Sequence, residues 1–298
     1  MTIQPPAPGE PPRPLGPRNP GDAWVVAGDG SRYWGRFGAA GLLAVDPERG
    51  VLLQHRVSWS HHGDTWALPG GARHEGESAC DAALRESAEE AGVPASAVRP
   101  RLLSVLDLDV WSYATLVADV IRPFEPVISD PESHELAWVP VDAVDDYPLH
   151  PAFADSWPML RSLLPVRPAV VVDAANVVGA VPDGWWRDRA GAAGRLLGEV
   201  AALAAGGLDA AGLGLAADTW FPEFHVVLEG AARAADDVAG IDLVRAAGHG
   251  DDAIVDRARE LASAGRAVTV VTSDRALGER VTAVGGAVQP VSWLRDRL

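Results

Sequence analysis

The sequence predicts an α/β protein of two domains, the first built on a mixed sheet and the second on a mainly parallel, three-layer sheet. The chain has 298 residues, of which 48% are hydrophobic, so it can fill two cores of ordinary size. Two prolines in the segment 165–168 interrupt the pattern and indicate a short linker. Beyond it, apolar strands alternate with helical segments, an order typical of parallel sheets.

The N-terminal segment 1–21 is expected to be a disordered or extended tail. Its first twenty residues contain eight prolines and few large apolar side chains. Two proline pairs, at 5 and 8 and at 14 and 17, have the PxxP spacing of polyproline ligands, so partner binding is the alternative to a plain solvated extension.

The first domain is predicted to occupy residues 22–164. A turn-forming segment, DPERG, joins two apolar stretches and predicts a β-hairpin. The segment WALPGG then leads from a strand into the loop before a long helix, and its two glycines permit backbone shapes closed to other residues. Three later apolar stretches complete the sheet and a final helix follows, at 102–108, 113–120, 136–139 and 153–164.

The second domain is predicted to occupy residues 169–298. It opens with a buried strand, Ala169–Asp173, and continues with a long alanine-rich helix. Later strands and helices alternate to the end of the chain. The strands are expected at 225–229, 241–245 and 267–272, and the helices at 187–204, 251–264 and 274–283.

Three glutamates lie within a turn and a half of the helix predicted after residue 78. Glu86, Glu89 and Glu90 are three and four residues apart, which brings their carboxylates onto one face. Like charges a few ångströms apart repel each other and favour a divalent cation between them. Ser78 with Asp81 is typical of a helix start, and a glycine followed by proline at 92–94 is typical of a helix end.

The turn of about 100° per residue in an α-helix also assigns the other side chains of this helix to two faces. Ala79, Ala82 and Ala83, on the acidic side, are small and are expected to leave room for a phosphate group to approach the metal. The opposite face is expected to pack on the sheet and comprises Cys80, Leu84, Ala88 and Ala91.

The segment GARHEGESACDAALRESAEEAGV, residues 71–93, resembles the Nudix box. It has the glycine, the four glutamates, the arginine and the second glycine of that pattern, and departs only at Ser87, where a bulky aliphatic residue is usual. The resemblance implies an α/β/α sandwich over residues 22–164. It also implies Mg²⁺-dependent or Mn²⁺-dependent cleavage of a pyrophosphate bond in a nucleoside diphosphate linked to another moiety.

The resemblance also implies roles for individual residues. Glu86 and Glu90 would bind the metal directly, and Glu89 would bind it or orient an activated water. The carbonyl of Gly71 would complete the coordination. Arg85 and Glu77 are further implied catalytic residues. Arg85 can pair with Glu89 four residues later, and Glu77 is expected to brace the loop or the arginine.

Residues outside the box supply weaker candidates. Arg56 and Arg73 flank the loop before the helix and would hold the substrate's phosphates, with a surface salt bridge as the alternative. Glu135 is a candidate further ligand or base. His61 and His62 are adjacent, so they are expected to point in different directions and to chelate zinc poorly. Trp111 and Tyr113 would stack on a base or pack in the core.

A second acidic site is predicted where strands of the second domain end, since ligands of such sheets lie beyond the carboxyl ends of the strands. The motifs VVVDAAN, VVLEG, GHGDDAIVDRA and VTVVTSDR resemble the NYN branch of the PIN-like ribonucleases over about 168–298. An alternative reading of each acid alone is a helix cap. By the resemblance the site comprises Asp173, Asn176, Asp252 and Asp274, with Asp251 and Glu229 as further candidates.

Composition limits the partners. The net charge of −16 argues against broad, sequence-independent binding of nucleic acid, although a local basic groove is compatible with it. All 25 basic residues are arginine, so lysine nucleophiles and phosphate-loop lysines are excluded. No signal peptide or membrane span is apparent, and a cytoplasmic protein that does not bind membranes is expected. The single cysteine is expected to be a buried thiol.

Three functional alternatives stay open at this point. The chain is a pyrophosphohydrolase acting on a nucleotide-type small molecule, or a bifunctional protein whose second domain also cuts RNA with a metal ion. In the third, the second domain is a binding module without catalysis. A nucleotide sensor without turnover is disfavoured by the intact glutamates. The oligomeric state and the identity of the nucleotide do not follow from the sequence.

Overall fold

The computed structural model describes residues 1–4, 21–182 and 184–298, and the chain divides into two compact units, Met1–Leu164 and Pro165–Leu298. Strand β1, Thr2–Gln4, pairs antiparallel with β2, Trp24–Val26. These three residues therefore differ from the expected disordered tail, because β2 satisfies their backbone hydrogen bonds. The two PxxP pairs lie outside the described residues.

The first unit is built on two sheets. Strand β3, Arg32–Trp34, pairs antiparallel with β2 and completes the small N-terminal sheet. In the main sheet the order is β10-β5-β4-β9-β8, with β6 on β5 and β7 on β4. Only β4 and β9 are parallel among these pairs, so the sheet is mixed as predicted. The strands are β4 Ala39–Asp46, β5 Gly50–Arg56, β6 Trp66–Ala67, β7 Gly70–Ala72, β8 Val98–Asp107, β9 Ser112–Val120 and β10 Ser133–Val139.

Two α-helices belong to the first unit. Helix α1, Ala79–Ala91, contacts β4, β7 and β9. Helix α2, Pro151–Leu163, begins with a proline at its first position, where the missing N–H costs nothing. It buries Phe153, Trp157 and Leu160 on one side. Short 3₁₀ turns precede β8 and α2, at Ala95–Ala97 and Val141–Asp146.

The second unit contains the predicted parallel sheet. Its order is β15-β14-β11-β16-β17, and all four pairings are parallel. The strands are β11 Pro168–Asp173, β14 Glu223–Leu228, β15 Ile241–Arg245, β16 Ala267–Val271 and β17 Ala287–Gln289, and a short antiparallel pair joins β12 Leu208–Asp209 to β13 Thr219–Trp220.

Helices cover both faces of this sheet, which gives three layers. The central strand β11 is buried throughout and alternates its side chains between two cores. Val170 and Val172 pack in one core, whereas Ala169 and Val171 pack in the other. The helices are α3 Ala174–Gly179, α4 Arg189–Gly206, α5 Ala210–Leu213, α6 Gly250–Ser263, α7 Arg275–Ala283 and α8 Val291–Arg295.

The helices of the second unit divide between the two cores. Leu196 of α4 and Leu294 of α8 belong to the core with Val170, while Ile254 of α6 and Leu277 of α7 belong to the other. Within the described part of the chain, no helix is both long enough and apolar enough to cross a membrane.

Candidate active site

Helix α1 carries most of the Nudix-box side chains, and its ends are fixed by local hydrogen bonds. The Ser78 hydroxyl accepts a hydrogen bond from the Asp81 N–H and so caps the first turn. Gly92 takes a left-handed conformation with φ 64°, and its N–H donates to the carbonyls of Ala88 and Ser87. The predicted start and end of the helix are therefore those of the structure.

The buried face of α1 differs from the predicted one. Ala82 and Ala83 are fully buried, so they do not form an open approach for phosphate. The Ala88 side chain is exposed, and Cys80 and Leu84 are only half-buried. The helix instead buries its acidic side against the sheet, because polar partners there receive the carboxylate of Glu90. Ala91 is fully buried as predicted, so the expected packing face was wrong only for Cys80, Leu84 and Ala88.

Arg85 joins the acidic residues of the box. Its guanidinium donates to both oxygens of Glu77, at 2.8 and 2.9 Å, and to the carbonyl of Ala72. A further nitrogen contacts Glu86 at 2.7 Å and Glu89 at 3.2 Å. Glu77 also accepts from the His74 N–H, which ties the loop before α1 to the helix. A bidentate arginine–carboxylate pair of this kind fixes orientation as well as charge.

Glu86 lies against the backbone of β7. A Cβ atom added to Gly71 would lie 2.7 Å from the Glu86 carboxyl carbon and from one of its oxygens. Only glycine therefore allows the carboxylate to approach this strand so closely. Burial raises the pKa of Glu86 to about 7, although contact with Arg85 acts in the opposite direction.

Glu90 belongs to a cluster of three carboxylates. Its side chain accepts hydrogen bonds from the Gly70 N–H at 2.9 Å and from the Gln54 amide at 3.3 Å. One oxygen each of Glu90, Asp130 and Glu132 lie within 4.8 Å of one another. The last two residues lie in the loop before β10 and were not among the predicted ligands.

The carboxyl groups of this cluster bind protons more tightly than free carboxyl groups, because burial and mutual repulsion disfavour their ionised forms. Burial and the neighbouring Glu86 raise the pKa of Glu90 well above its usual range. Burial also raises the pKa of Asp130 and of Glu132, while the charge of Arg56 opposes both shifts. Carboxylate oxygens that are close together and incompletely neutralised suit a hard divalent cation such as Mg²⁺ or Mn²⁺. The donor set therefore fits the metal implied by the box.

The two predicted phosphate-binding arginines differ in their surroundings. Arg56 lies on β5 opposite Ser133, and its Nε atom is buried with no hydrogen-bond partner among the described residues. It is close enough to the carboxylate cluster to influence the pKa of two of its members. Arg73 donates to the carbonyl of Glu77 at 2.7 Å and so supports the loop before α1.

The remaining candidates of the first unit have other positions. Glu135 is exposed on β10 and lies outside the carboxylate cluster, so it is not positioned as the further ligand or base that was predicted. Trp111 donates to the Trp34 carbonyl, and its ring is stacked on Tyr33 with centroids 4.9 Å apart. Burial raises the pKa of Tyr113.

The second unit brings most of its predicted acids to one cavity. This cavity has a volume of about 240 Å³ and lies at the carboxyl ends of β11, β14 and β16. Asp252 is the exception. It follows Asp251 on α6, does not line the cavity, and pairs with Arg280 at 2.5 Å. The polar residues lining the cavity are Asp173, Asn176, Glu229, Asp251 and Asp274.

Several of these acids also hold the local structure. Asp173 accepts from the Asn176 N–H at 3.0 Å and from the Thr272 hydroxyl at 2.9 Å. Glu229 accepts from the Gly250 N–H at 2.8 Å, and Asp274 caps α7. Burial raises the pKa of Asp173, and the nearby acids add to the shift. The acidic side chains that line the cavity therefore also cap helices and hold loops in place.

Comparison with known proteins identifies the first unit. The NUDIX domain model matches residues 35–163. A Mycobacterium tuberculosis protein named "Putative 8-oxo-dGTP diphosphatase 3" is 48% identical over 155 residues, which cover 49% of this chain and 71% of that protein. A "Nucleoside triphosphate pyrophosphatase/Nudix hydrolase fusion protein" of Bifidobacterium longum is 40% identical over 154 residues, 49% of this chain and 32% of that protein.

Among solved structures, a Nudix hydrolase from M. smegmatis, RenU, is 47% identical and covers 48% of this chain and 94% of its own, with a TM-score of 0.45. The family assignment rests on the sequence match to the tuberculosis protein, which extends over most of that relative's length. The box residues lie within the matched domain. The chain is a member of the Nudix hydrolase family.

Proposed function

We propose that the first unit hydrolyses a pyrophosphate bond in a nucleoside diphosphate derivative with the help of Mg²⁺ or Mn²⁺. The observation that carries the proposal is the convergence of Glu86, Glu90, Asp130 and Glu132 beside the glycine strand β7. Burial and mutual repulsion disfavour the ionised forms of these carboxyl groups, and a divalent cation bound between them would relieve that repulsion.

The residues that would hold the cation are Glu86 and Glu90, with Glu89 either as a further ligand or as the group that orients the attacking water. When bound, the cation neutralises phosphate charge and acidifies water. Arg85 keeps Glu86 and Glu89 in place through its contacts at 2.7 and 3.2 Å. The pKa of about 7 that Glu86 has without the cation would fall on binding, because the positive charge favours the ionised carboxylate.

Among nucleotide derivatives we favour a nucleoside triphosphate with an oxidised purine, 8-oxo-dGTP, as the substrate. The name of the tuberculosis relative, a putative 8-oxo-dGTP diphosphatase that is 48% identical over the matched residues, supports this choice. Water would attack the α- or the β-phosphorus and break the anhydride bond between these two phosphates, which leaves a nucleoside monophosphate and pyrophosphate. The charged phosphates would then lie near Arg56, whose Nε atom has no hydrogen-bond partner within the described chain.

A substrate panel tests this function. The full chain is incubated with 8-oxo-dGTP, dGTP, ADP-ribose, a nucleotide sugar and a dinucleoside polyphosphate, each with Mg²⁺ or with a chelator. We expect pyrophosphate release and the highest kcat/KM with 8-oxo-dGTP, and no turnover with the chelator. A higher kcat/KM with another compound would reject 8-oxo-dGTP as the substrate but would leave the proposed hydrolase activity in place. Turnover that persists with the chelator and in Glu86→Gln would reject the mechanism.

A second, metal-dependent activity on RNA is proposed for the second unit. The supporting observation is the cavity of about 240 Å³ at the carboxyl ends of the parallel strands, lined by four acids and one asparagine. Oxygen donors of this kind can hold Mg²⁺ or Mn²⁺ and activate water against a phosphodiester. Its competitor is a binding module in which the same acids only cap helices.

Incubation of the full chain with single-stranded RNA and Mn²⁺ separates these alternatives. Cleavage that is lost in Asp173→Asn and kept in Asp252→Asn supports nuclease chemistry, because only the first of these residues lines the cavity. In asparagine the one remaining oxygen can accept from the Asn176 N–H and the amide N–H can donate to the Thr272 hydroxyl, so we expect the fold to be retained. Absence of cleavage by the unaltered chain would favour the binding module.

A further inference from the structure

A second group of metal-ligand side chains lies in the first unit, apart from the carboxylates. It comprises His61 and His62, in the loop between β5 and β6, and His150, directly before α2. One ring nitrogen of each residue lies within 4.8 Å of the others. The rings of His61 and His62 have centroids 4.2 Å apart, and those of His62 and His150 are 4.7 Å apart.

The backbone of His62 explains how two adjacent histidines converge. Neighbouring side chains of an extended segment point in opposite directions, which is why adjacency predicted poor chelation. His62 instead has φ 53°, in the left-handed region, and Asp64 two residues later has φ 59°. Such values are costly for residues other than glycine. The expectation from adjacency alone therefore does not apply to this loop.

The framework around the histidines is fixed by hydrogen bonds. The Asp64 N–H donates to the Arg56 carbonyl at 3.1 Å, and the Thr65 hydroxyl donates to the His62 carbonyl at 2.6 Å. On the other side, the His150 N–H donates to the Trp66 carbonyl at 2.8 Å. Strand β6 thus links the third histidine to the loop that carries the first two, so little ordering is needed before a ligand binds.

The group is open to solvent. His61 and His62 are exposed and His150 is half-buried, so an ion from solution can reach the three rings. Neutral imidazole nitrogens coordinate metal ions. The positive charge of Arg56 acts on His61 and on His150, so an anion is the competing ligand.

We propose that His61, His62 and His150 form a binding site for a borderline transition-metal dication of the Zn²⁺ class, distinct from the carboxylate site for Mg²⁺ or Mn²⁺. Three imidazole nitrogens are a known ligand set for zinc, and they leave a position for water or another ligand. Nitrogen donors select against Mg²⁺, which prefers oxygen. The two sites therefore differ in the ions they accept.

Direct metal binding tests the proposal. The full chain, freed of any histidine tag and of bound metal, is titrated with Zn²⁺ against a chromophoric chelator in excess Mg²⁺, which occupies the oxygen ligands. We expect one Zn²⁺ per chain, and an affinity at least tenfold weaker in His62→Ala and in His150→Asn. Asparagine is chosen because it preserves a cap for α2, where His150 accepts from the Ala152 N–H. The matched control is His134→Ala, an exposed histidine outside the group.

Spectroscopy of the Co²⁺ form gives a second readout. We expect the visible absorption of nitrogen-ligated Co²⁺ in the unaltered chain and in His134→Ala, and its loss in His62→Ala. Circular dichroism of the metal-free variants verifies that each remains folded. Equal Zn²⁺ affinity in all variants would overturn the proposal. So would binding of inorganic pyrophosphate at these histidines in place of Zn²⁺.

Discussion

Glu90 is a charged residue placed where a helix would ordinarily present an apolar one. Only 7% of it is exposed, and its partners are a backbone N–H and the amide of Gln54. A buried carboxylate with neutral partners remains costly when ionised. The cost is consistent with a function in metal binding, since a structural role would be served better by an aliphatic side chain.

Removal of the negative charge at the box should remove hydrolysis without unfolding the protein. In Glu86→Gln and in Glu90→Gln we expect kcat to fall about 100-fold or more, because the amide is a poor ligand for Mg²⁺. The melting temperature without metal should be unchanged or higher, since a charge is removed from a buried position. Steady-state kinetics and circular dichroism measure the two effects. Glu135→Gln, an exposed acid, is the control, and retained activity in both box variants would contradict the assignment.

The pKa of Glu86 predicts an unusual pH dependence of stability. Its value rises from 4.5 in the unfolded chain to about 7 in the metal-free fold, so the folded state binds the proton more tightly. The free energy of unfolding should therefore decrease as pH rises from about 4.5 to about 7, by up to about 3 kcal/mol from this residue. Denaturant unfolding of the metal-free chain and of Glu86→Gln measures the difference. A pH slope in this range that is identical in both proteins would contradict it.

At the scale of elements, helix α1 shows which inferences a sequence permits. Its ends followed from Ser78 and Gly92, because capping depends on residues within one turn. Its buried face followed only at Ala91, because the amphipathic pattern assumes that the apolar side is the one that faces the sheet. The sheet beneath α1 instead supplies Gln54 and the Gly70 N–H as polar partners, and these lie far from α1 in sequence.

The loop before β10 was missed for a related reason. Asp130 and Glu132 have no periodic relation to the helix, and only tertiary packing brings them to Glu90. The resemblance to the Nudix family pointed to Glu135 as the late acidic residue, and this side chain is exposed; the concentration of acids in the segment SDPESHE was the signal that could have indicated the other two. His150 was missed likewise, since it is 88 residues from His62. Long-range contacts of this kind are fixed by the fold rather than by local pattern.

The contact between β7 and α1 predicts a specific effect of a single methyl group. In Gly71→Ala the new Cβ would lie 2.7 Å from the Glu86 carboxylate, so the carboxylate must move. A displacement of about 1 Å in a reacting group lowers kcat by about 100-fold. Gly28→Ala is the matched control, because its added Cβ meets no atom within 4 Å. Comparable activity in the two variants would show that the exact position of Glu86 is unimportant.

On the scale of the whole molecule, the chain contains two compact units with different sheets, one mixed and one parallel. The parallel order of the second was predictable because strands and helices alternate along it. The identity of the acids that line its cavity was only partly predictable. Asp251 and Asp252 are adjacent, and which of them lines the cavity depends on the rotation of α6.

The two proposed activities should be separable in the full chain. We expect Glu90→Gln to lose nucleotide hydrolysis and to keep RNA cleavage with Mn²⁺, and Asp173→Asn to do the reverse. The reason is that the two residues lie in different units, where Glu90 accepts from Gln54 and the Gly70 N–H, and Asp173 accepts from the Asn176 N–H and the Thr272 hydroxyl. Parallel assays of the same preparations measure both activities. Simultaneous loss of both activities in either folded variant would contradict independent sites.

Cys80 gives α1 a chemical reporter of its own. It is the only thiol in the chain, it lies in the first turn of that helix, and burial raises its pKa to about 11. Reaction with a thiol reagent is therefore slow while the helix is in place, and faster whenever the first turn opens. The labelling rate of the natural sequence thus measures how often this end of α1 opens, and a slower rate with Mg²⁺ would show how far metal binding steadies it.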